Sequence, residues 1–261
     1  MMRKGKGFTL IELLVVIAII AVLMSILMPA LRRVKEQAMN IQCRANLRSY
    51  GYALRMYLDD NDYGFPYSFE WLYKDGGRGG RWHDGRYNLD ENPELGGPLW
   101  PYLAKKDIHV CPTFLRFAKS GSCQSCNSAI PVDPQYGYCM NSYLNGDAWN
   151  AVPAQYHQKI QRSRKESNVK NPATVFSFSE ENTWSIPGLS CCGINDNNLR
   201  STPNNNTDCF ATFHGARGGD RDSGLANAVF VDGHVEKVSA YPAGNTYLLS
   251  WPSGGIPPTG F

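Results

Sequence analysis

The chain has 261 residues, of which 43% are hydrophobic and 19% charged, so it holds enough apolar sequence to fold around a core. Its net charge is only +3 and no dense Lys/Arg stripe runs through its body, which argues against a nucleic-acid partner. A mean hydropathy of −0.37 argues against a polytopic membrane protein. The 25 glycines and 16 prolines argue against a compact all-helical bundle.

The first element along the chain is a long apolar segment that follows a short basic stretch. Arg3, Lys4 and Lys6 precede residues 8–28, in which Glu12 is the only charged side chain. A helix needs ~20 apolar residues to cross a bilayer, so this segment is long enough to span it. The positive charges place the preceding end in the cytoplasm and the rest of the chain outside. Glu12 requires a partner, because a carboxylate inside a span costs ~2.5–3.5 kcal/mol.

Two plainer interpretations of this segment stay open. A secretory signal peptide requires a small residue at its cleavage site, but the apolar run ends in Met28, Pro29 and Ala30. An ordinary single-span anchor explains the length of the segment but gives Glu12 no role.

The stretch Gly7-Phe8-Thr9-Leu10-Ile11-Glu12 closely resembles the N-terminal signature of type IV pilins and type II secretion pseudopilins. In those proteins a membrane peptidase cuts after the glycine and methylates the new N-terminal residue. The resemblance implies cleavage between Gly7 and Phe8, methylation of Phe8 and a helix-bending role for Pro29. It covers residues 5–62, under a quarter of the chain.

The resemblance also implies a role for Glu12 in assembly. Cleavage would create an ammonium group on Phe8, one helical turn from the Glu12 carboxylate. In a helical array, the ammonium of one subunit can pair with Glu12 of its neighbour and so define the register of the two helices. The implied partners are copies of the chain or related pilins, the prepilin peptidase, the inner-membrane assembly machinery and membrane lipid.

A second helical pattern follows the span and ends before Gly64 and Pro66. Its apolar residues recur at steps of three and four: Leu31, Val34, Ala38, Ile41 and Ala45. Leu47, Leu54 and Leu58 extend this apolar surface. The whole stripe predicts an amphipathic helix that packs on a sheet. The predicted organisation is a leader (1–7), a transmembrane assembly helix (8–30), an amphipathic helix (31–60), a globular head (61–250) and a tail (251–261).

Two strand patterns appear late in the chain. Residues 174–179 predict one strand, and residues 226–231 and 234–238 predict a hairpin around Asp232-Gly233, a favoured type I′ turn. The predicted fold class is therefore α+β, with a long N-terminal helix packed on a mainly antiparallel sheet and long loops.

A broader resemblance concerns the same region, because many large pseudopilin-like proteins end in a histidine, a Gly-rich link and an Asp-Gly-His strand. Here His214 is followed by Asp232, Gly233 and His234, with a longer polar insertion than that pattern has. The resemblance implies no activity. His214, Asp232 and His234 are the one plausible metal cluster in the sequence, although polar surface or capping roles are favoured for them.

The eight cysteines all follow the span, in a compartment where disulfides persist. They are Cys43, Cys111, Cys123, Cys126, Cys139, Cys191, Cys192 and Cys209. We expect several disulfides, with Cys43–Cys111 as the preferred long-range pair and the adjacent Cys191 and Cys192 bonded to different partners. Cys123 and Cys126 have zinc-site spacing, but the second pair of ligands that such a site needs is missing.

Neither an enzyme nor a cofactor is predicted. The motifs Gly-x-Ser-x-Gly, His-Glu-x-x-His and the P-loop are absent from the sequence. Acidic loops that could hold calcium contain Asp196, Asp208, Asp220 and Asp222, of which Asp220 and Asp222 are kept as weak candidates. Residues 59–64 with Glu70 resemble an EF-hand loop, but Tyr63 occupies a ligand position, so a solvated helix end is favoured.

These patterns predict a structural subunit of a type IV pilus or a type II secretion pseudopilus. It would be a single-pass inner-membrane protein with a cytoplasmic N-terminus and a head in the periplasm or at the cell surface. The alternative is an extracytoplasmic head that binds a ligand or acts as an enzyme and uses the pilin-like helix only as an anchor.

Overall fold

The computed structural model describes residues 8–74, 81–103, 105–120, 134–146, 164–186, 188–189, 193–194, 196–202, 208–216, 220–242 and 244–252. Two compact units divide the chain: an N-terminal unit, Met1–Ala38, and a main unit, Met39–Phe261. The predicted leader (1–7) and most of the predicted tail lie outside the described residues.

The long helix α1 spans Leu10–Asp60 and contains Pro29. It ends where Asp62 and Tyr63 adopt positive φ angles of 51° and 58°. There the Tyr63 amide donates to the Leu58 carbonyl at 2.8 Å. Residues 59–64 are thus a helix end, as predicted.

The buried face of α1 differs from the predicted one. Leu31, Val34 and Ile41 are at least 60% exposed. Burial begins at Cys43 and continues with Leu47, Tyr50, Leu54 and Leu58. The prediction that the stripe from Leu31 to Leu58 packs on the sheet is therefore wrong for the part from Leu31 to Ala45, whereas the predicted burial of Leu47, Leu54 and Leu58 is confirmed. Both stripes have helical spacing, and the difference arises because only the later one faces the core of the main unit.

The sheet has five strands in the order β3-β1-β2-β4-β5. They are β1 (Tyr138–Asn141), β2 (Phe176–Glu180), β3 (Asn198–Leu199), β4 (Ala226–Phe230) and β5 (Val235–Val238). All neighbouring pairs are antiparallel except β1 with β3. The predicted α+β class, with a mainly antiparallel sheet after a long helix, is confirmed.

Short helices complete the described part of the main unit. The α-helices are α2 (Trp100–Leu103), α3 (Pro112–Ser120) and α4 (Asn245–Ser250). The 3₁₀ helices are Arg81–His83, Gly85–Tyr87, Pro93–Leu95, Lys106–Ile108, Glu166–Asn168 and Pro172–Thr174. The first predicted strand therefore starts later than expected, after the 3₁₀ turn at Pro172.

The predicted hairpin is β4–β5, with Ala226 opposite Val238 and Val229 opposite Val235. Its turn is not type I′, because only Gly233 has a positive φ, of 90°. The Gly233 amide donates to the Phe230 carbonyl at 2.9 Å, which is the pattern of a type I turn followed by a left-handed glycine. The longer loop retains the register that the alternating pattern predicts.

The core lies between α1 and the sheet. Every residue of β2 and β4 is buried, as expected for central strands covered on both faces. The Tyr50 ring lies 5.1–5.5 Å from the rings of Trp71, Tyr138 and Phe178. A Cβ atom on Gly51 would lie 3.0 Å from Val229 Cγ2, so glycine permits the close approach of helix and strand.

Candidate functional site

The N-terminus of α1 is closed by contacts between Thr9 and Glu12. The Thr9 amide and hydroxyl donate to Glu12 Oε2 at 2.9 and 2.8 Å, and the Glu12 amide donates to Thr9 Oγ1 at 3.3 Å. This reciprocal arrangement is a capping box, in which Thr9 is the N-cap and Glu12 is the third helical residue. The sequence contains the Thr-x-x-Glu spacing of this capping box, but the sequence analysis does not predict the cap.

The capping box gives Glu12 a partner within its own chain. Two hydrogen-bond donors on one carboxylate oxygen offset part of the cost of placing the charge in an apolar environment. Phe8 lies just outside the helix and is 69% exposed. The amine that cleavage after Gly7 would create is therefore attached to a residue that stands free of the helix. Gly7 itself lies outside the described residues.

All side chains from residue 8 to residue 38 are exposed. Leu14, Ile17 and Leu27 are 65%, 56% and 63% exposed. Of the described helices, α1 alone is long and apolar enough to cross a membrane, judged by length and composition. The helix continues through Pro29, although proline lacks the N–H that would bond the Ser25 carbonyl. The helix-bending role that the resemblance implies for Pro29 stays a prediction.

A second polar arrangement lies in the core of the main unit. Cys43 and Cys111 form a disulfide, which is the preferred predicted pair. Cys111 Sγ lies 3.6 Å from His214 Nε2, and His214 Nε2 lies 2.8 Å from Glu180 Oε1. All four residues are buried. We call these four residues the core cluster. The sequence does not predict Glu180 as a member, because a carboxylate at the end of a strand is ordinarily exposed.

The predicted cluster of His214, Asp232 and His234 does not form. His214 pairs with Leu225, directly before β4, whereas Asp232 and His234 follow the other end of that strand. At about 3.3 Å per residue, the length of β4 separates the two places. His234 Nδ1 instead lies 2.6 Å from Asp232 Oδ1 in the exposed turn, so the polar surface role favoured for His234 is confirmed. The same role is wrong for His214, which is buried.

The remaining cysteines divide into three groups. Cys209 is disulfide-bonded. Cys139 is a free thiol, so the prediction that it forms a disulfide is wrong. It is fully buried on β1 with its sulfur 3.3 Å from Glu181 Oε2, and burial raises the pKa of its thiol. Cys123, Cys126, Cys191 and Cys192 lie outside the described residues.

The acidic residues weighed for calcium accept hydrogen bonds from the protein. Asp196 and Asp208 accept the amides of Asn198 and Arg200 at 2.9 and 2.7 Å. Burial, and after it the charge of Asp196, raises the pKa of the Asp208 carboxyl to about 7.

The two weak calcium candidates also have protein partners. Asp220 accepts the amide of Asp222 at 3.1 Å, and Asp222 accepts the indole N–H of Trp184 at 2.6 Å. Among the described residues, the group that could hold a metal ion is the core cluster. Calcium binding by Asp220 and Asp222 stays a prediction.

One further titratable group is fully enclosed. Tyr50 Oη lies 2.6 Å from His109 Nδ1, and burial lowers the pKa of His109 to about 3. The ring is therefore neutral at physiological pH and shares a hydrogen bond with the tyrosine hydroxyl. This histidine contributes to the packing of α1.

Comparison with known proteins bears on the N-terminal segment. A family model of the prokaryotic N-terminal methylation motif matches residues 2–28. The type IV wide pilus major component PilA4 of Thermus thermophilus is 46% identical over 63 residues, which are 24% of this chain and 48% of that protein. The chain thus spans about half the length of the curated relative that it matches. No solved structure matches it.

These findings define the class of the N-terminal segment. It is similar to type IV pilins and has a methylation motif on an apolar helix that is long enough to span a membrane. The methylation-motif model ends well before His214. The resemblance of the region from His214 to His234 to large pseudopilin-like proteins therefore stays a prediction.

Proposed function

We propose that the chain is a structural subunit of a type IV pilus or a type II secretion pseudopilus and that it assembles through residues 8–30. The observation that carries the proposal is the methylation motif at residues 2–28 on a helix whose apolar side chains are all exposed. The similarity to a type IV pilus component also supports it.

Processing is the first step of the proposal. The prepilin peptidase would cut between Gly7 and Phe8 and methylate the Phe8 amine. The capping box supports this site, since Thr9 and Glu12 begin the helix one residue beyond Phe8 and leave the scissile bond outside it. A peptidase needs an extended substrate segment, because a helical backbone already uses its amides and carbonyls in internal hydrogen bonds.

Assembly is the second step. In the single chain, Glu12 accepts hydrogen bonds from Thr9. In the filament, the Phe8 ammonium of a neighbouring subunit would add a full positive charge to the same carboxylate. The exposed Leu31, Val34 and Ile41 extend the apolar surface beyond the span. That surface would pack against the helices of neighbouring copies.

The proposed topology follows from the same segment. The basic residues before the span place the N-terminus in the cytoplasm, and the main unit would lie outside. The disulfide between Cys43 and Cys111 supports an oxidising compartment for that unit.

The test is to express the full chain together with its prepilin peptidase and assembly machinery. Mass spectrometry of the membrane fraction should show a mature chain that begins with N-methyl-Phe8. Electron microscopy of the sheared extracellular fraction should show filaments that contain the chain. A mature N-terminus near Leu31 would contradict the proposal and indicate a signal peptide, and a correctly processed chain without filaments would favour an anchored head with an independent activity.

A further inference from the structure

The core cluster brings four metal-binding groups to one place in the interior of the main unit. Cys43, Cys111, Glu180 and His214 each offer one donor atom, and the four atoms lie within 4.8 Å of one another. The side chains of Glu180 and His214 are 0% and 2% exposed. Two thiolates, one imidazole and one carboxylate are all ligands that zinc accepts, and four is the number that a structural zinc site uses.

The four groups come from separate elements that the fold holds firmly. Cys43 lies on α1, Cys111 directly precedes α3, and Glu180 is the last residue of β2. His214 is held by two backbone hydrogen bonds to Leu225, of 3.0 and 2.9 Å. The donors therefore converge through the tertiary fold rather than through a local sequence motif, which is why spacing along the chain does not predict them.

Hydrogen bonds around the cluster fix the orientation of the Glu180 carboxylate, as hydrogen bonds to metal ligands do in metal sites. The amide and the side-chain nitrogen of Asn227 lie 2.7 and 3.3 Å from Glu180 Oε2. The same Asn227 side chain reaches Asn40 Oδ1 on α1 at 3.0 Å. One carboxylate oxygen is thus held by the protein, and the other, Oε1, points toward His214 and the sulfur atoms.

We propose that, while Cys43 and Cys111 are thiols, the core cluster binds one divalent metal ion of the zinc type, so that metal and disulfide are alternative links between α1 and the segment before α3. The chain is a dithiol when it is made, so this state precedes oxidation. The ion would take the place of the proton between His214 Nε2 and Glu180 Oε1 and of the two thiol protons. With a Zn–S bond of about 2.3 Å and tetrahedral angles, the two sulfurs would lie ~3.7 Å apart.

Conversion to the disulfide form needs a two-electron oxidant, for which a protein disulfide is the chemical class. One thiolate of the chain attacks the oxidant disulfide and forms a mixed disulfide, and the second thiolate displaces the oxidant's remaining sulfur. The Cys43–Cys111 bond forms, the oxidant's bond breaks, and its two thiolates take up two protons. The metal leaves as a dication because its two sulfur ligands are consumed. A proton returns to the pair formed by His214 and Glu180.

The experiment uses cobalt(II) as a spectroscopic probe for zinc. The full chain in detergent is reduced with a phosphine under metal-free, oxygen-free conditions and titrated with cobalt(II). We expect one ion per chain, with the visible bands of a tetrahedral site and a sulfur-to-cobalt charge-transfer band, and the loss of these bands when zinc is added. The oxidised chain should bind no cobalt at this site.

Variants distinguish the core cluster from the other cysteines. His214→Gln keeps a hydrogen-bond donor for Glu180 but removes the imidazole ligand. Cobalt binding should weaken by at least about tenfold, since even the loss of a residue that only orients a ligand costs ~10–100-fold in metal affinity. Cys139→Ala removes a buried thiol outside the cluster and should leave the titration unchanged. The double variant Cys123→Ser with Cys126→Ser should also leave it unchanged.

A stability measurement covers the case in which the reduced chain is poorly folded. Zinc at about 100 times its dissociation constant should raise the unfolding free energy of the reduced chain by about 2.7 kcal/mol and should leave the oxidised chain unaffected. A reduced chain that binds no cobalt, whether folded or unfolded, overturns the proposal. So does cobalt binding that is equal in the parent and in His214→Gln, or that disappears when Cys123 and Cys126 are replaced.

Discussion

The two compact units of this protein differ in how far their side chains are buried and paired. From residue 8 to residue 38 every side chain is exposed, and Glu12 of the span accepts hydrogen bonds from Thr9 of its own chain. The described part of the main unit has a buried core in which charged groups can be paired, as Glu180 with His214 shows. The main unit thus buries apolar side chains within one chain, whereas the N-terminal unit leaves its apolar side chains exposed.

The largest expected effect concerns assembly. Glu12→Ala removes the carboxylate that would pair with the Phe8 ammonium of a neighbour. Breaking a buried pair by removal of one member costs ~3–5 kcal/mol, which is roughly two to four decades in each docking equilibrium at ~1.4 kcal/mol per decade. Filament yield at equal subunit level should collapse, while membrane insertion and cleavage after Gly7 persist. Glu12→Asp should give an intermediate yield.

The capping box makes Thr9→Ala the matched control for that variant. It removes the N-cap hydroxyl but leaves the Glu12 carboxylate in place. If both variants abolish filaments equally, Glu12 acts by starting the helix and not by pairing with a neighbour.

The second effect concerns the main unit alone. Replacing Cys43 and Cys111 together by serine opens a loop with a sequence separation of 68 residues. The chain-entropy model gives a loss of about 4 kcal/mol in the free energy of unfolding. Denaturant unfolding of the oxidised full chain in detergent, followed by tryptophan fluorescence, measures it. Cys139→Ala changes a buried thiol without opening a loop and should cost clearly less; equal losses would show that the disulfide adds nothing beyond packing.

The third effect is a pH dependence of stability. It comes from two buried groups whose pKa values are shifted in opposite directions. The pKa of Asp208 is raised to about 7, so the folded state takes up a proton before the unfolded state as the pH falls, and stability rises. The pKa of His109 is lowered to about 3, so the unfolded state takes up a proton first below pH 6.5, and stability falls. Between pH 6.5 and 4 the two effects offset each other.

Asp208→Asn separates these two groups. The variant should be more stable than the parent at pH 7.5, because it buries no charge and places none beside Asp196. That advantage should shrink by about 1.4 kcal/mol per pH unit as the pH falls from 7 to 4. Denaturant unfolding of both proteins at matched pH gives the difference. A difference that does not change with pH would show that Asp208 titrates normally.

The smallest effect belongs to the cap of α1. Thr9→Ala should lower the stability of the first helical turn by ~1 kcal/mol. Hydrogen exchange of the amides near Glu12 in detergent reports this local loss, with faster exchange confined to the first turn. Exchange that is unchanged, or that is faster along the whole helix, would contradict the capping role.

Sequence patterns predicted the long helix and the β4–β5 hairpin because their signals are local. An uninterrupted apolar run fixes the helix, and the alternation around Gly233 sets the strand register. The turn type could not be predicted, because Asp-Gly suits both a two-residue turn and the longer loop observed here. The stripe that begins at Leu31 and the one that begins at Cys43 have the same spacing, and only the position of the sheet distinguishes them.

The two candidate sites also differ in whether their residues are brought together locally or only by the tertiary fold. The Thr9–Glu12 cap is local, and its Thr-x-x-Glu spacing is a known cap signal, although the sequence analysis did not predict the cap. The core cluster could not be predicted, because Glu180 and His214 meet Cys43 and Cys111 only through the packing of β2 against α1. Buried polar residues such as Asn141, whose side chain donates to the carbonyls of Phe176 and Ser250 at 2.9 Å, were missed for the same reason.

The central claim is that copies of this chain cover the apolar surface of residues 8–38. The most direct measurement is cryo-electron microscopy of filaments sheared from cells that express the chain with its peptidase and assembly machinery. The account predicts a filament core built from α1 helices, in which neighbouring copies bury Leu14 and Ile17 and the Phe8 amine of one subunit lies beside Glu12 of another. A filament without this chain, or α1 helices that stay apart in lipid with Glu12 bound only to Thr9, would contradict it.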